Sequence, residues 1–214
     1  MNRNKCLRYL TVLAVCGAIC LPALAADDKK EKAATGQPSE SDMMAMMAEM
    51  GKPGENHKML QEGAGSWSYT VKFWMSPDAP AMESSGTSVG RSVFDGRYLI
   101  TEHTGKMQMP GADGKMQDMA FKGMGTEGYD NAKKKFVASW IDNMGTGVMY
   151  MEGTYDPATK TLTYLGEYEM MPGMKTKVRE TIKYTDKNHR TFEFYEARGD
   201  KEVKTMEMNY TRKS

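Results

Sequence analysis

Two hydrophobic patterns divide the chain near residue 65. Beyond that point apolar and polar residues alternate with a period of two, which is typical of half-buried β-strands. We predict ten strands, at residues 66–75, 86–94, 97–104, 119–128, 135–141, 147–155, 161–170, 175–184, 191–197 and 202–212. Aromatic and β-branched residues are frequent in these segments, and no long helical segment separates them. The pattern therefore predicts an all-β antiparallel meander.

Turn residues separate the predicted strands. Asp95-Gly96 is typical of a two-residue hairpin turn of the primed type. The segment GYDNAKKKFVASW, residues 128–140, returns in looser form as TYDPATKTLTYLG, residues 154–166. We interpret this repeat as one hairpin turn used twice, in which Asp130 and Asp156 start the turn through their side chains. Because ten strands in an open sheet would leave two unpaired edges, we expect the sheet to close into a roughly ten-stranded barrel.

The first 25 residues have the pattern of a secretory signal peptide. Arg3, Lys5 and Arg8 precede the apolar stretch YLTVLAVCGAICL, and an A-x-A cleavage site ends at Ala25. An uncleaved anchor and a lipoprotein signal, with a cysteine of the stretch acylated, are the alternatives. We expect an exported bacterial protein, periplasmic or extracellular, with no stable membrane span after processing.

Residues 26–53 are predicted to be a disordered tether that ends in a methionine-rich helix. The segment ADDKKEKAATGQPSESD is charged and lacks large apolar residues. Ser41 or Asp42 is expected to cap a helix over residues 43–50, and Asn56 a second helix over residues 57–62. Residues 54–214 are assigned to the barrel domain.

Composition narrows the classes of function. All three cysteines lie within residues 1–25, so the processed chain has no thiol for disulfides, thiol catalysis or thiolate metal sites. Removal of these residues takes away three basic residues and no acidic one, which changes the formal net charge from +1 to −2. The charges are interspersed without a basic block, so nucleic acid is not an expected partner. The composition indicates neither a cofactor nor an oligomeric state.

Four segments carry a resemblance to a known family: NHKMLQEGAGSW, FKGMGTEGYDN, ASWIDNMGTG and MEMNYTR. With them the chain resembles the bacterial family called domain of unknown function 1579, over about residues 54–213. The resemblance implies a calycin-like, lipocalin-like β-barrel and implies no reaction, cofactor or catalytic residue. In such barrels a Gly-x-Trp at the first strand packs against a basic residue of the last strand. Gly65, Trp67 and Arg212 occupy these positions, which implies a cation–π contact that closes the barrel.

Alternate residues of a barrel strand point inward, which suggests residues that line the interior. Glu180 shares a face with Val178 and Ile182, so burial is expected to raise its pKa unless a cation lies nearby, and Arg91 is the candidate cation. Such a pair could orient the polar head of a ligand; a buried ion pair or a solvent-facing position is the alternative. The candidate lining residues are Tyr69, Arg91, His103, Trp140 and Glu180.

Methionine is the compositional outlier, with 22 residues in 214. Thioethers are soft ligands that suit Cu(I), and an exported protein can meet copper. The alternative is that methionine fills gaps in apolar packing. The candidate metal ligands are Met43, Met44, Met46, Met47, Met50 and His57.

Four functions fit these observations. The first is a barrel that binds a small, mainly apolar ligand in its interior without chemistry. The second is an envelope protein that handles Cu(I) through the methionine segment. The third is an enzyme that acts on a small molecule through Glu180 or His103. The fourth is a barrel filled with side chains that acts through its outer surface. The chain has no zinc-hydrolase, serine-hydrolase or phosphate-loop motif, which makes the enzyme less favoured.

Overall fold

The computed structural model describes residues 38–111 and 113–214, apart from the side chain of Met170. The predicted signal peptide, residues 1–25, and residues 26–37 of the predicted tether lie outside these residues. Two helices, α1 (Glu40–Met50) and α2 (Glu55–Gln61), precede the strands. The strands are β1 (Gly65–Phe73), β2 (Met82–Val93), β3 (Tyr98–Pro110), β4 (Met116–Asp130), β5 (Lys135–Asp142), β6 (Met149–Asp156), β7 (Thr161–Met171), β8 (Met174–Tyr184), β9 (His189–Arg198) and β10 (Lys201–Arg212). Neither helix has the length and hydropathy of a membrane-spanning segment.

The strands form a closed antiparallel barrel in chain order. Each strand pairs with its neighbours along the chain, and β1 pairs with β10, where Tyr69 lies opposite Tyr210. This closure satisfies the backbone groups that an open sheet would leave at its edges. The predicted ten-stranded all-β meander, closed into a barrel, is confirmed.

Three strands extend at one end by three residues or more beyond the predicted bounds. β2 begins at Met82, β3 continues to Pro110 and β4 begins at Met116. Pro110, Gly111 and Gly114 made this region resemble a loop, but cross-strand pairing carries the hairpin on as far as Pro110 opposite Met116. The pairing of β2 with β3 ends at Gly105 and that of β4 with β5 at Gly123. Residues 106–111 and 113–122 therefore extend past their neighbours as a two-stranded hairpin, called here the β3–β4 arm.

The turn between β2 and β3 has the positive φ angles of the predicted primed type, but the connection has four residues instead of two: pairing ends at Val93 opposite Tyr98, and Phe94 also has a positive φ of 50°. Asp95 and Gly96 have φ angles of 56° and 84°, and the Arg97 N–H donates to the Phe94 carbonyl at 3.3 Å. Positive φ at both central residues is the signature of this turn type.

The repeated phrase is a repeated turn, as predicted. Asp130 Oδ1 accepts from the Ala132 and Lys133 N–H groups at 2.9 and 3.0 Å. Asp156 Oδ1 accepts from the Ala158 N–H at 2.9 Å. Each turn ends in a lysine with a φ of 54°, Lys134 in one copy and Lys160 in the other. Both turns use the aspartate side chain to satisfy backbone donors that leave the ladder.

The helix caps differ from the prediction. Ser39, rather than Ser41 or Asp42, caps α1, and Asp42 completes the capping box by accepting from the Ser39 N–H at 3.2 Å. Asn56 lies inside α2, whose cap is Gly54; its N–H donates to His57 Nδ1 at 2.9 Å. The sequence pattern placed both helix starts too late because the apolar residues begin one turn after the caps.

α2 closes one end of the barrel, called here the closed end. Leu60 is fully buried and packs into the larger apolar cluster, which contains Phe136, Met151, Leu162, Tyr164 and Ile182. A second cluster lies beside it and contains Trp67, Tyr69, Met208 and Tyr210. At the opposite end, called here the mouth, inward-facing aromatic residues such as Phe73, Trp140 and Phe194 are only half-buried.

Candidate functional site

Polar side chains gather inside the barrel between the two ends. Strand register places them there: Tyr164 lies opposite Glu180, Arg190 opposite Tyr210, and Glu127 opposite Leu99. Because residues alternate between faces, each of these positions points inward. We call this group the interior polar cluster: His103, Glu127, Tyr164, Glu180, Arg190 and Tyr210.

Glu180 is the carboxyl of the cluster that has no partner in the described part of the chain. Its side chain is 9% exposed, and no described residue forms a hydrogen bond or ion pair with it. Burial, together with the nearby negative charge of Glu127, raises the pKa of Glu180 to about 8. At neutral pH the group is therefore a protonated carboxyl that can donate a hydrogen bond.

Glu127 is the second carboxyl of the cluster. Its Oε2 accepts from the Tyr164 hydroxyl at 3.2 Å. Burial raises the pKa of Glu127, while the positive charge of Arg190 and the Tyr164 hydrogen bond oppose that rise. Two carboxyls and one guanidinium thus share one enclosed region, in which the charge of Arg190 lowers the pKa of Glu127 and the charge of Glu127 raises the pKa of Glu180.

Arg190 supplies the positive charge of the interior. It is 7% exposed, and its guanidinium lies 4.5 Å from the Trp67 ring centre and 4.8 Å from that of Tyr210. No described carboxylate lies within ion-pair distance, and no described group accepts a hydrogen bond from it. Aromatic faces therefore hold the guanidinium, and its N–H groups remain without a protein acceptor.

His103 is an enclosed, neutral imidazole. Its Nε2 lies 3.1 Å from the Tyr210 hydroxyl, and the rings of Tyr69 and Trp140 pack against it at centroid distances of 5.7 and 5.3 Å. Burial, aided by the positive charge of Arg190, lowers the pKa of His103 to about 4. Its Nδ1 has no partner in the described residues and is sealed from solvent.

Internal space borders the two central groups of the cluster. Four side-chain atoms in the described residues are both sealed and unpartnered: Gln61 Oε1, Ser88 Oγ, His103 Nδ1 and Thr205 Oγ1. The carboxyl oxygens of Glu180 and the nitrogens of Arg190 do not belong to this set, although they too lack partners. They therefore face space that a water-sized molecule can reach.

Arg91, expected as the counter-charge of Glu180, lies on the outer face of the barrel. It is exposed and pairs with Glu102 at 2.5 Å. In β2 the small residues Ser88 and Gly90 point inward. Val89 and Arg91 therefore point outward, although the apolar valine suggested the opposite. A side chain at Gly90 would meet the Gly63 carbonyl at 2.3 Å, so the α2–β1 connection requires glycine there. Arg91 therefore does not line the interior.

The other candidate lining residues point inward. Glu180 and His103 belong to the interior polar cluster, and the Tyr69 hydroxyl donates to the Thr104 carbonyl at 3.1 Å. Trp140 is half-buried at the mouth, where its Nε1–H donates to Asp142 at 2.8 Å. The Trp140 indole packs over Gly123, where only glycine fits, because a Cβ there would lie 2.3 Å from the ring. Tyr69 thus contributes mainly its ring, while Trp140 borders the entrance.

The predicted closure contact is formed. The Arg212 guanidinium lies 4.2 Å from the Trp67 ring centre. It also donates to the backbone carbonyls of Glu62 and Ala64, both at 2.6 Å. Gly65 has a φ of 109°, and a Cβ there would lie 2.7 Å from the guanidinium. Arg212 and Arg190 both contact the Trp67 ring at the closed end, and Arg212 clamps it to the backbone of the α2–β1 connection.

Methionines lie mainly on the surface. All five in α1 are exposed, between 48% for Met50 and 74% for Met47, and no residue of α1 is buried. His57 is separate from them: it is 5% exposed, packs on Tyr129 and uses Nδ1 to accept from Gly54. His57 therefore serves the α2 cap and is not available as a further metal ligand.

Methionines also surround the mouth. The inward face of the β3–β4 arm carries Met107, opposite Met119, followed by Phe121. The β7–β8 hairpin extends in the same direction, and Met171 lies opposite Met174 at its tip. Between the two hairpins, β5 and β6 pair over only five residues, from Phe136 to Trp140. The barrel wall is therefore short at β5 and β6, and the entrance lies there, between two projecting hairpins that carry methionine.

Sequence reasoning missed Glu127 and Arg190. Glu127 alternates with Gly123, Gly125 and Tyr129, and because glycine carries no apolar side chain, the pattern did not show that this face points inward. Arg190 alternates with Phe192 and Phe194, a signal that could have been found, but it lay one residue before the predicted strand. Buried arginine is rare, so a pattern search that assumes apolar interiors passes over it.

Comparisons with known proteins place the chain in a family. No curated protein matches it. The solved structure of Rv2717c from M. tuberculosis is 14% identical, with a TM-score of 0.52, and the match covers 76% of this chain and 100% of that one. At this identity the likeness concerns the fold alone. The family model described as "Protein of unknown function (DUF1579)" matches residues 52–212. The chain therefore belongs to the DUF1579 family, as its sequence motifs predicted.

Proposed function

We propose that this protein is an exported carrier or receptor that binds a small amphiphilic molecule inside the barrel, with an apolar body and a polar head. The observation that carries the proposal is the pair of buried, unpartnered groups, Glu180 and Arg190, beneath a half-buried apolar mouth. Burying polar groups without partners is unfavourable, so an occupant that satisfies them would bind favourably.

The lining next to Glu180 is apolar on the side of the mouth, and a polar group follows at the rim, where Glu196 accepts from the Tyr168 hydroxyl at 2.9 Å and pairs with Arg198 at 3.0 Å. Above Glu180 the inward positions are Val178, Phe194 and Met206, and across the barrel are Trp140 and Met149. A ligand pocket usually combines such an apolar wall with few oriented polar groups. The hydrocarbon part would lie against this wall, and the head would reach the interior polar cluster.

The methionine-bearing hairpins suit a variable entrance. Unbranched, polarisable methionine side chains adapt to ligands of different shape. The β3–β4 arm presents Met107 and Met119 inward, and its outer face carries charged residues such as Lys106 and Asp118. The arm could therefore contact an apolar ligand on one side and water on the other.

A neutral fluorescent probe, N-phenyl-1-naphthylamine, tests interior binding. The matched variants are Ala138→Phe, which fills the interior, and Val137→Phe, the next residue and on the outer face. We expect the inner variant to lower probe affinity at least tenfold and the outer variant to leave it unchanged, with unfolding temperatures measured for both. Equal affinities would contradict binding inside the barrel, as would the absence of any adduct in native mass spectrometry.

Handling of Cu(I) by α1 is a second candidate. The observation that favours it is the exposure of all five thioethers, which rules out core packing as the reason for their presence. Soft thioethers select Cu(I) over harder ions. Competition with a chromophoric Cu(I) chelator should show binding that is lost when the five α1 methionines become leucine. Retention of Cu(I) by the leucine variant would exclude α1 as the site.

A further inference from the structure

Arg190 has donors that the protein does not use. A guanidinium offers five N–H groups in its plane, whereas the rings of Trp67 and Tyr210 contact it as a cation over aromatic faces. Among the described residues no carbonyl, hydroxyl or carboxylate accepts from it. An enclosed cation of this kind is stabilised by an oxyanion that takes two of its N–H groups at once.

Glu180 provides a second donor toward the same region. Its carboxyl is enclosed, unpartnered and next to internal space. Glu127, the nearest other acid, already accepts from Tyr164. The other titratable groups within the cluster are neutral at pH 7: the hydroxyls of Tyr69, Tyr184 and Tyr210, and the imidazole of His103. The charged groups nearest to it are Glu62, close to Tyr184 at the closed end, and the Glu196–Arg198 pair at the rim. The inward positions of β2, β5 and β6 next to the cluster, Ser88, Ala138 and Met151, do not titrate.

We propose that the interior polar cluster binds the carboxylate of a small apolar monocarboxylic acid. Arg190 donates to both carboxylate oxygens, the protonated Glu180 carboxyl donates to one of them, and the hydrocarbon chain extends past Phe194 to the mouth. This inference rests on the proposed function and adds the chemical class of the head group. An amine head is the main competitor, since it would instead pair with the carboxylates of Glu127 and Glu180.

Three ligands with the same ten-carbon chain separate these cases: decanoate, decan-1-ol and decylamine. Calorimetric titration of the full processed protein should show decanoate binding at least tenfold more tightly than decanol at pH 7. Its affinity should fall by up to about tenfold per pH unit above pH 8, because Glu180 then ionises beside the bound anion. Decylamine would show the opposite trend, with affinity rising as Glu180 loses its proton.

Matched variants locate the effect. Glu180→Gln keeps a donor but cannot ionise, so decanoate should bind with an affinity that no longer falls above pH 8. Arg190→Met should abolish the preference for the acid over the alcohol. Arg179→Met is the control, because Arg179 stacks on Tyr195 at 3.8 Å on the outer face. If Arg190→Met does not fold, the pH dependence of decanoate affinity in Glu180→Gln still tests the carboxylate assignment.

The outcomes separate this inference from the proposed function. Equal binding of decanoate and decanol, or tighter binding of decylamine, overturns the carboxylate assignment while interior binding stands. An unchanged pH profile in Glu180→Gln overturns the role of that residue and with it the assignment. Absence of binding by all three ligands and by the neutral naphthylamine probe overturns both.

Discussion

The interior glutamates differ in the neighbours that each can reach. Glu127 has a hydroxyl donor in Tyr164 and the charge of Arg190 nearby, whereas Glu180 has neither a donor nor a close cation among the described residues. A buried carboxyl without compensation keeps its proton, because ionisation in an enclosed region is unfavourable. The same residue type thus has different chemistry at two positions of one cavity wall.

Glu180 should make stability depend on pH. Its pKa is about 8 when folded and near 4.5 when unfolded, so the folded state holds the proton more strongly between these values. The free energy of unfolding should therefore fall as pH rises through this window. His103, with a lowered pKa of about 4, acts in the opposite direction below pH 6.5, so the clean interval is pH 6.5–8.

Denaturant titration across that interval checks this pH dependence. The wild-type protein should lose about 1–2 kcal/mol between pH 6.5 and 8, and Glu180→Gln should flatten the profile. Glu167→Gln, a change on the exposed β7 partner of Lys175, is the matched control and should keep the wild-type slope. A slope that survives in Glu180→Gln would show that another group titrates.

Arg212 should contribute to stability through the clamp on Trp67. Arg212→Ala removes the ring contact and the hydrogen bonds to Glu62 and Ala64, so we expect the free energy of unfolding to fall by about 2–3 kcal/mol. Lys213→Ala, at the next position, should change it by less than about 0.5 kcal/mol. Urea titration measures both, and equal effects would argue against a specific role for the clamp.

Among the elements, hairpins decide where each strand begins and ends. The two aspartate turns reuse one local solution, and the primed turn at Asp95-Gly96 uses another. A turn fixes the register of the two strands that it joins, since a slip of one residue would move every side chain to the other face. For Glu180 and Arg190 this turn lies between β8 and β9, where Asp186 Oδ1 accepts from the Asn188 N–H at 2.7 Å.

The side chains of Asp130 and Asp156 should contribute similar amounts to the free energy of unfolding. Asp130→Ala and Asp156→Ala each remove side-chain bonds to backbone N–H groups, so each should lower the free energy of unfolding by about 1 kcal/mol. Because the turns are separate hairpins, the double variant should show the sum. Asp200→Ala serves as the control, since no described residue bonds to that side chain. If neither variant lowered the free energy of unfolding, the aspartate side chains would not stabilise the turns, and the positive φ of Lys134 and Lys160 would be their main determinant.

Over the whole molecule, the stabilising core and the exposed methionine helix are separate. α1 buries no side chain, and its C-terminal end is linked to the barrel by the Asn131 amide, which donates to the Met50 and Lys52 carbonyls at 2.8 and 2.9 Å. α2 instead inserts Leu60 into the larger apolar cluster. The two helices are adjacent in sequence but contribute differently to the fold.

Removal of residues 40–50 should therefore leave the barrel nearly as stable. We expect a change in the free energy of unfolding of less than about 1 kcal/mol, because little apolar surface is lost. Leu60→Ala should lower it by about 2–5 kcal/mol through the cavity that it creates. Thermal and urea unfolding measure both variants, and a large loss on removal of α1 would show that the helix packs against the barrel in solution.

Much of this molecule follows from local pattern. Alternation predicted all ten strands, turn chemistry predicted the hairpins, and the family motifs predicted the Trp67–Arg212 contact. These features depend on residues near each other in sequence, or on the period of a strand, both of which can be read along the chain. Glu180 was placed inside because its own strand alternates cleanly.

Tertiary structure decided which side chains meet across the barrel. Arg190 rather than Arg91 is the interior cation, because small residues and the α2–β1 connection reverse the faces of β2. Glu127, hidden among glycines, joins Glu180 only when β4 and β8 face each other in the closed barrel. The sequence by itself determined the strands, the closure and the inward face of β8. The partners of each inward group depend on closure, which brings together residues that lie far apart along the chain.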